Sequence, residues 1–221
     1  MGLYRAHILP RIHNKALDND EIRDIRRRVC APLRGDVVEI GFGSGLNLPH
    51  YPSAVTRVHA IEPSALSRRL AEPRVAACPI PVRFEGVDGQ HLPLPDQSID
   101  AALVTFTLCS MDDPEAAGRE LHRVLVPGGF VTYVEHGISR DAAVAKWQHR
   151  LNWLNRRMSA CRLDTPTPEV LRNAGFDLTD QREYYLKSTP PAPAICTRAP
   201  PARPPDRDRK LDRPSPGARS R

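Results

Sequence analysis

The sequence predicts an α/β domain built on a doubly wound, mostly parallel sheet. Three observations carry that prediction. Short apolar runs alternate with amphipathic stretches; the first run ends in a glycine-rich bend; and the run Ile99 to Phe106 is apolar almost throughout. A strand apolar on nearly every residue is covered on both faces, and strands alternating with helices build parallel βα units. At 221 residues the chain suits one principal domain.

The elements follow in order. Residues 18–31 read as a helix, with Asp18 or Asn19 as cap and Ile22, Ile25 and Val29 at helical spacing. The run Arg26-Arg27-Arg28 reads as its solvated face. Val37, Val38 and Ile40 make the first strand, and Arg57 to Ile61 the second, ending at Glu62. Residues 64–77 form a helix whose end Pro73 puts in question. Pro81 to Val87 is the third strand and Ile99 to Phe106 the fourth. A helix over 113–125 follows, capped by Asp112 or Asp113, with Pro114 in its first turn. Pro127-Gly128-Gly129 reads as a turn, and Phe130 to Val134 as the fifth strand, ending at Glu135-His136. Helices are expected at 141–159 and 167–174, the second stopped by Gly175. Leu178 to Leu186 and Ala194 to Thr197 are expected to form an antiparallel C-terminal edge hairpin.

Composition narrows the function. Nine of the 23 prolines lie between Ser188 and Arg221, together with eight basic and three acidic residues. That window therefore holds +5 of the formal charge of +6, so the body carries no basic field for a specific nucleic acid. Residues 1–199 are expected to form the domain, with 1–17 a partly ordered lead-in and 200–221 a disordered Pro/Arg-rich tail. Cys30, Cys78, Cys109, Cys161 and Cys196 are scattered, with no CxxC pair, so no metal site or disulfide framework is expected. No run reaches the ~18 apolar residues of a membrane span, and the N-terminal stretch has no signal-type apolar segment. These features point to a cytoplasmic protein, with transient membrane contact left open.

The chemistry-bearing motif is Glu39-Ile40-Gly41-Phe42-Gly43-Ser44-Gly45, directly after a strand. Glycines let the backbone pass close beneath a ligand. Glu62 ends the next strand, where an acid accepts both hydroxyls of a ribose. Asp88-Gly89 follows the third strand. The spacing is G-x-G-x-G, with Leu46 where the dinucleotide fingerprint needs its third glycine, and no Gly-Lys-Ser/Thr follows. The order of loop, acid and Asp-Gly suits a nucleoside cofactor without a pyrophosphate cradle.

The chain resembles the class I S-adenosylmethionine-dependent methyltransferases. The resemblance rests on VVEIGFGSGLNLPHYP, IEPS, EGVDGQHLPLPDQSID, LVTFTLCSMDDP and LHRVLVPGGFVTYVEHG, and spans roughly residues 20–187. The pattern is similar to the lipid-linked and small-molecule group that holds quinone and phospholipid methyltransferases. The block from Trp147 through Cys161 to Asp164 resembles the methyltransferase-like 7, thiol-methylating branch. Some members of that branch carry an apolar N-terminal anchoring segment, a pattern that Met1 to Glu21 does not show.

The resemblance implies a Rossmann-like methyltransferase fold and S-adenosyl-L-methionine as cofactor. It implies that Glu39 orients the methionine end, and that Gly41, Gly43 and Gly45 pass under the methionine and ribose. It further implies that Glu62 binds the ribose diol, that Asp88 and Gly89 meet the adenine, and that Thr105, Phe106 and Leu108 line the cofactor. The expected reaction is in-line methyl transfer to a thiol, quinone-like or lipid-like small molecule, which needs alignment and water exclusion more than an elaborate triad. His136 is the best-placed titratable candidate for a catalytic base. His50, Tyr51, Cys109, Trp147 and Trp153 are acceptor-site candidates, with 141–165 as the cap over that site. Two readings stay open beside this one. A non-catalytic cofactor-binding protein would keep the same loop and acid. A nicotinamide-dependent oxidoreductase is disfavoured by Leu46 and by the lack of a Tyr-x-x-x-Lys pair.

Overall fold

The computed structural model describes residues 2–139 and 141–178, and the backbone of Ala194–Ile195. Five parallel strands form the sheet: β1 (Gly35–Ile40), β2 (Val55–Ile61), β3 (Val82–Gly86), β4 (Ile99–Thr105) and β5 (Leu125–His136). Their spatial order is β3-β2-β1-β4-β5, and every pairing among them is parallel. Chain order reverses direction between β1 and β4. The loops leaving those two strands diverge there and open a crevice at their carboxyl ends.

Side chains alternate across the sheet, which splits the core in two. Val37, Val58, Ala101 and Leu103 face α3 (Asp20–Cys30) and α4 (Ala65–Ala77). Val38, Ile40, Ala102 and Val104 face α5 (Pro114–Val124) and α7 (Thr167–Asn173). Burial on both faces explains why β4 reads as an unbroken apolar run. The caps are local. Asn19 accepts from the Ile22 amide at 3.0 Å, Asp113 from Ala116 at 2.9 Å, and Asp141 caps α6 (Ala142–Ser159) by accepting from Ala143 at 2.8 Å.

Several expectations change. The lead-in is two short helices, α1 (Leu3–His7) and α2 (Leu9–Ala16), packed beside α4. Pro73 lies inside α4 without ending it. Pro127-Gly128-Gly129 does not separate helix from strand: β5 starts at Leu125, with Gly128 at a φ of 83° and a register shift beside Ile99.

The antiparallel C-terminal hairpin is corrected. The sheet β1–β5 is parallel throughout and no hairpin closes it among the described residues. Leu178 is not in a strand, and 179–186 and the tail 200–221 lie outside the described residues. Among the described residues the chain returns as a two-residue strand, β6 (Ala194–Ile195), whose backbone runs antiparallel beside Glu135 and His136. Pro190, Pro191 and Pro193 just before it lack the N–H that a longer ladder requires.

Candidate active site

The crevice at the β1/β4 divergence is a cavity of about 710 Å³. Gly41, Gly43, Glu62, Asp88, Gly89 and Thr105 all line it. Six positions scattered over 65 residues of sequence thus meet because their strands end at the same edge of the sheet.

The glycine bend is built against the neighbouring loop. Gly41 has a φ of 73°, and a Cβ there would collide with the Thr107 side chain. The bend after β1 and the loop after β4 therefore touch only because residue 41 has no side chain. Gly43, at a φ of 60°, faces open space: a Cβ there would have only the Gly41 carbonyl oxygen within 4 Å, at 3.8 Å. The absent side chain is the room a ligand would fill. Gly45 packs under Leu48 and Phe42 and supports the bend from outside the cavity.

Glu62 is fixed by the backbone. The Gly43 amide donates to Oε2 and the Ser64 amide to Oε1, both at 2.7 Å. Each carboxylate oxygen has a second lone pair, so the group can still accept two hydroxyl donors. Burial raises its pKa, opposed by the two amides and by Arg68. Asp88 accepts from the Gln90 amide at 2.8 Å and pairs with His91 at 3.0 Å. The His91 contact is the main cause holding that carboxyl below its usual range.

Beneath the bend lies a buried polar layer. Glu39 is fully buried, accepting from Asn47 at 2.6 Å and from the Tyr51 hydroxyl at 2.6 Å. Arg26 donates to the Asn47 side-chain oxygen at 2.6 Å and to the Thr105 hydroxyl at 3.3 Å. Burial pushes Glu39 up to about 7, opposed by Tyr51, Asn47 and the Arg26 charge. Tyr51 is pushed well above its usual value by burial and by Glu39. Glu39 and Tyr51 therefore stand behind the cavity wall, whereas Arg26 and Thr105 reach it.

The remaining candidates scatter. His50 ends the 3₁₀ turn Leu48–His50, outside the cavity lining, with burial and nearby arginines lowering its pKa. Trp147 and Trp153 are 64% and 68% exposed on α6 and do not line the cavity. Of 141–165, only Ser159, Ala160 and Cys161 line it. Leu108 and Cys109 are wholly buried on the 3₁₀ turn after β4. His136 meets Cys109 at 3.6 Å instead of opening into the cavity. Cys161, beside both, is held well below the ordinary thiol range, chiefly by the Cys109 thiol and then by the His136 imidazole.

Two contributors were not read from the sequence, and a third, Cys161, was expected only as part of the 141–165 cap. Arg26 lies on the apolar face of α3, four residues after Ile22 and three before Val29, and that spacing was a usable signal. Cys161 lines the cavity although nothing in its spacing marks it. The N-terminal helices also line it, through Arg5, His7, Leu9 and His13.

Comparison with known proteins agrees with this geometry. The family described as "Methyltransferase domain" matches residues 38–133. The chain is 31% identical over 141 residues to a phosphatidylethanolamine N-methyltransferase of Cereibacter sphaeroides, covering 58% of this chain and 68% of that one. It is 30% identical over 173 residues to the human thiol S-methyltransferase TMT1B, covering 74% of this chain and 69% of that one. The fold is similar to that of the YcgJ protein of Bacillus subtilis, with a TM-score of 0.63 at 21% identity, covering 74% of this chain and 71% of that one. The bend, the fixed acid at residue 62 and these relatives converge: the chain belongs to the class I S-adenosylmethionine-dependent methyltransferases, using that cofactor to methylate a small-molecule acceptor.

Proposed function

We propose that the acceptor is a small apolar thiol, methylated on sulfur by in-line displacement. S-adenosylmethionine supplies an electrophilic methyl carbon on a cationic sulfur that leaves as a neutral thioether. The protein's share is to bind, align and exclude water. Glu62 receives the ribose hydroxyls on the two lone pairs its backbone amides leave free. Gly41 and Gly43 give the nucleoside its room. Asp88, with Gly89, faces the adenine amino group, and Thr105 and Phe106 line the same cavity. Arg26, held by Asn47 and Thr105, offers its cavity side to the methionine carboxylate, and Glu39 keeps that cation in place from behind.

The thiol assignment is supported by the 173-residue match to a thiol S-methyltransferase, and by Phe106, Met111 and Cys161 among the residues lining the cavity. Such a wall suits a polarisable acceptor, and a thiol gives up its proton near neutral pH without a strong base. His13 lines the cavity within electrostatic reach of Cys161, and α1, α2 and residues 159–161 form the acceptor-side cover.

A lipid-like acceptor is the second reading. The phosphatidylethanolamine N-methyltransferase match supports it, as does the exposed stripe of Trp147, Leu151, Leu154 and Met158 along α6. Among the described residues no helix is long and apolar enough to cross a membrane. A methyl-release assay over thiols, quinols, amines and phospholipid vesicles tests both. Turnover confined to thiols is expected. Turnover of phosphatidylethanolamine alone would replace the thiol reading, and none with any acceptor would leave a cofactor-binding protein.

A further inference from the structure

Cys109, His136 and Cys161 come from three separate segments, and their ligand atoms all lie within 4.8 Å of one another. The cofactor-binding machinery uses none of the three. We propose that these side chains form a zinc-binding site, with Cys109 Sγ, His136 Nδ1 and Cys161 Sγ as ligands and a fourth position turned toward the cavity.

Distance supports the assignment. A tetrahedral zinc with Zn–S near 2.3 Å and Zn–N near 2.0–2.1 Å sets sulfur and nitrogen about 3.6 Å apart. Cys109 Sγ and His136 Nδ1 are 3.6 Å apart. Two thiolates and an imidazole form a borderline-soft donor set that suits zinc over calcium or magnesium.

The three segments are also locked to one another without a metal. Glu135 accepts the amides of Thr107, Leu108 and Cys109 at 2.5, 2.9 and 3.2 Å, which seats the Cys109 turn on the end of β5. The Arg162 amide donates to the Cys109 carbonyl at 2.7 Å, tying the Cys161 loop to that turn. Buried Gln148 donates to the carbonyls of Gly137 at 2.8 Å and Leu163 at 3.1 Å, and accepts from the Ser139 amide at 2.7 Å. It thereby staples the segment after His136 to the segment after Cys161. The His136 ring is packed against Phe106, centroids 5.2 Å apart. Such outer contacts fix ligand orientation in built metal sites.

Cys161 alone of the three lines the cavity, so the open position lies on that side. On binding, each thiol loses its proton to solvent as its S–Zn bond forms. If the acceptor is a thiol, as proposed above, it would take the fourth position as a thiolate, its own proton likewise passing to solvent.

The test is cobalt substitution of the full chain, purified and kept reduced. One equivalent of Co²⁺ should give the intense visible bands of a tetrahedral ion and a near-ultraviolet sulfur-to-cobalt band, both abolished by one equivalent of Zn²⁺. Cys109→Ser, Cys161→Ser and His136→Gln should each weaken zinc binding by more than about 100-fold, beyond the loss typical of outer-shell partners. Cofactor binding by calorimetry checks that the variants are folded. Should they fail to fold, zinc protection of Cys109 and Cys161 in the unaltered chain against iodoacetamide, mapped by mass spectrometry, decides instead. No stoichiometric cobalt spectrum, or zinc affinity unchanged in the double Cys variant, would overturn the site. So would alkylation of both cysteines at the same rate with and without zinc. Adding a small thiol to the cobalt form should shift its spectrum. A cobalt site whose spectrum ignores thiols would retain the metal site and remove thiol ligation, which separates this proposal from the acceptor reading.

Discussion

Glu62 depends on one small geometric fact: two amides, at 2.7 Å each, take half of its lone pairs and leave the other half for a ligand. Hydrogen bonds to a charged group are each worth about 1.5–3 kcal/mol. Glu62→Gln should therefore weaken S-adenosylmethionine binding by about 10- to 100-fold, measured by calorimetry, and an unchanged Kd would remove the ribose role. Glu39 makes a different prediction because it stands behind the cavity lining. Its carboxyl is lifted to about 7 by burial. Below pH ~4.5 the folded and unfolded forms both hold the proton. Between ~4.5 and about 7 the unfolded chain has released it while the folded chain retains it, so stability falls as pH rises through that window. Urea midpoints from pH 4 to 8 should show that decline, and Glu39→Gln should flatten it.

At the scale of elements, the loop leaving β4 is held by one side chain from the end of β5. Glu135 seats three consecutive amides, so Glu135→Ala would orphan all three in a buried place. A loss of about 3 kcal/mol or more in folding stability is expected from a denaturation curve, since each buried unpaired donor costs about 1–3 kcal/mol. Helix α6 behaves oppositely. Trp147 and Trp153 point largely into solvent, so replacing both with Ala should change stability by no more than about 0.5 kcal/mol each and leave the cofactor Kd alone. A large drop in melting temperature would mean that α6 is packed more deeply than its exposure indicates.

For the whole molecule, function sits where strand order reverses, and every layer meets there. The glycine bend leaves β1, the Thr105–Thr107 segment leaves β4, and α1 and α2 close over both. A ligand bound only by the folded chain stabilises it by mass action. S-adenosylmethionine at 100 times its Kd should add about 2.7 kcal/mol, and NAD nothing. Removing residues 2–17 should lower cofactor affinity about tenfold, some 1.4 kcal/mol, while the sheet still melts cooperatively. Among the residues of α1 and α2 only Leu9 and Pro10 are buried, so the segment contributes more wall than core. Equal affinity in the truncated chain would exclude it from the site.

By itself the sequence determined the strands, most helix caps, the glycine bend and the acids at 62 and 88. Those are written in local patterns: apolar period, capping oxygens, and glycine where a backbone must bend or approach a ligand. It also offered Arg26 on the apolar face of α3, where the run of three arginines read as a solvated surface. Tertiary structure alone decided that Glu39 and Tyr51 stand behind the cavity and that no C-terminal hairpin closes the sheet among the described residues. It alone brought Cys109, His136 and Cys161 together from a turn, a strand end and a loop. The physical reason is one of range. Caps and bends are fixed within a few residues, whereas a cluster drawn from three segments exists only once long-range packing has chosen which loops touch.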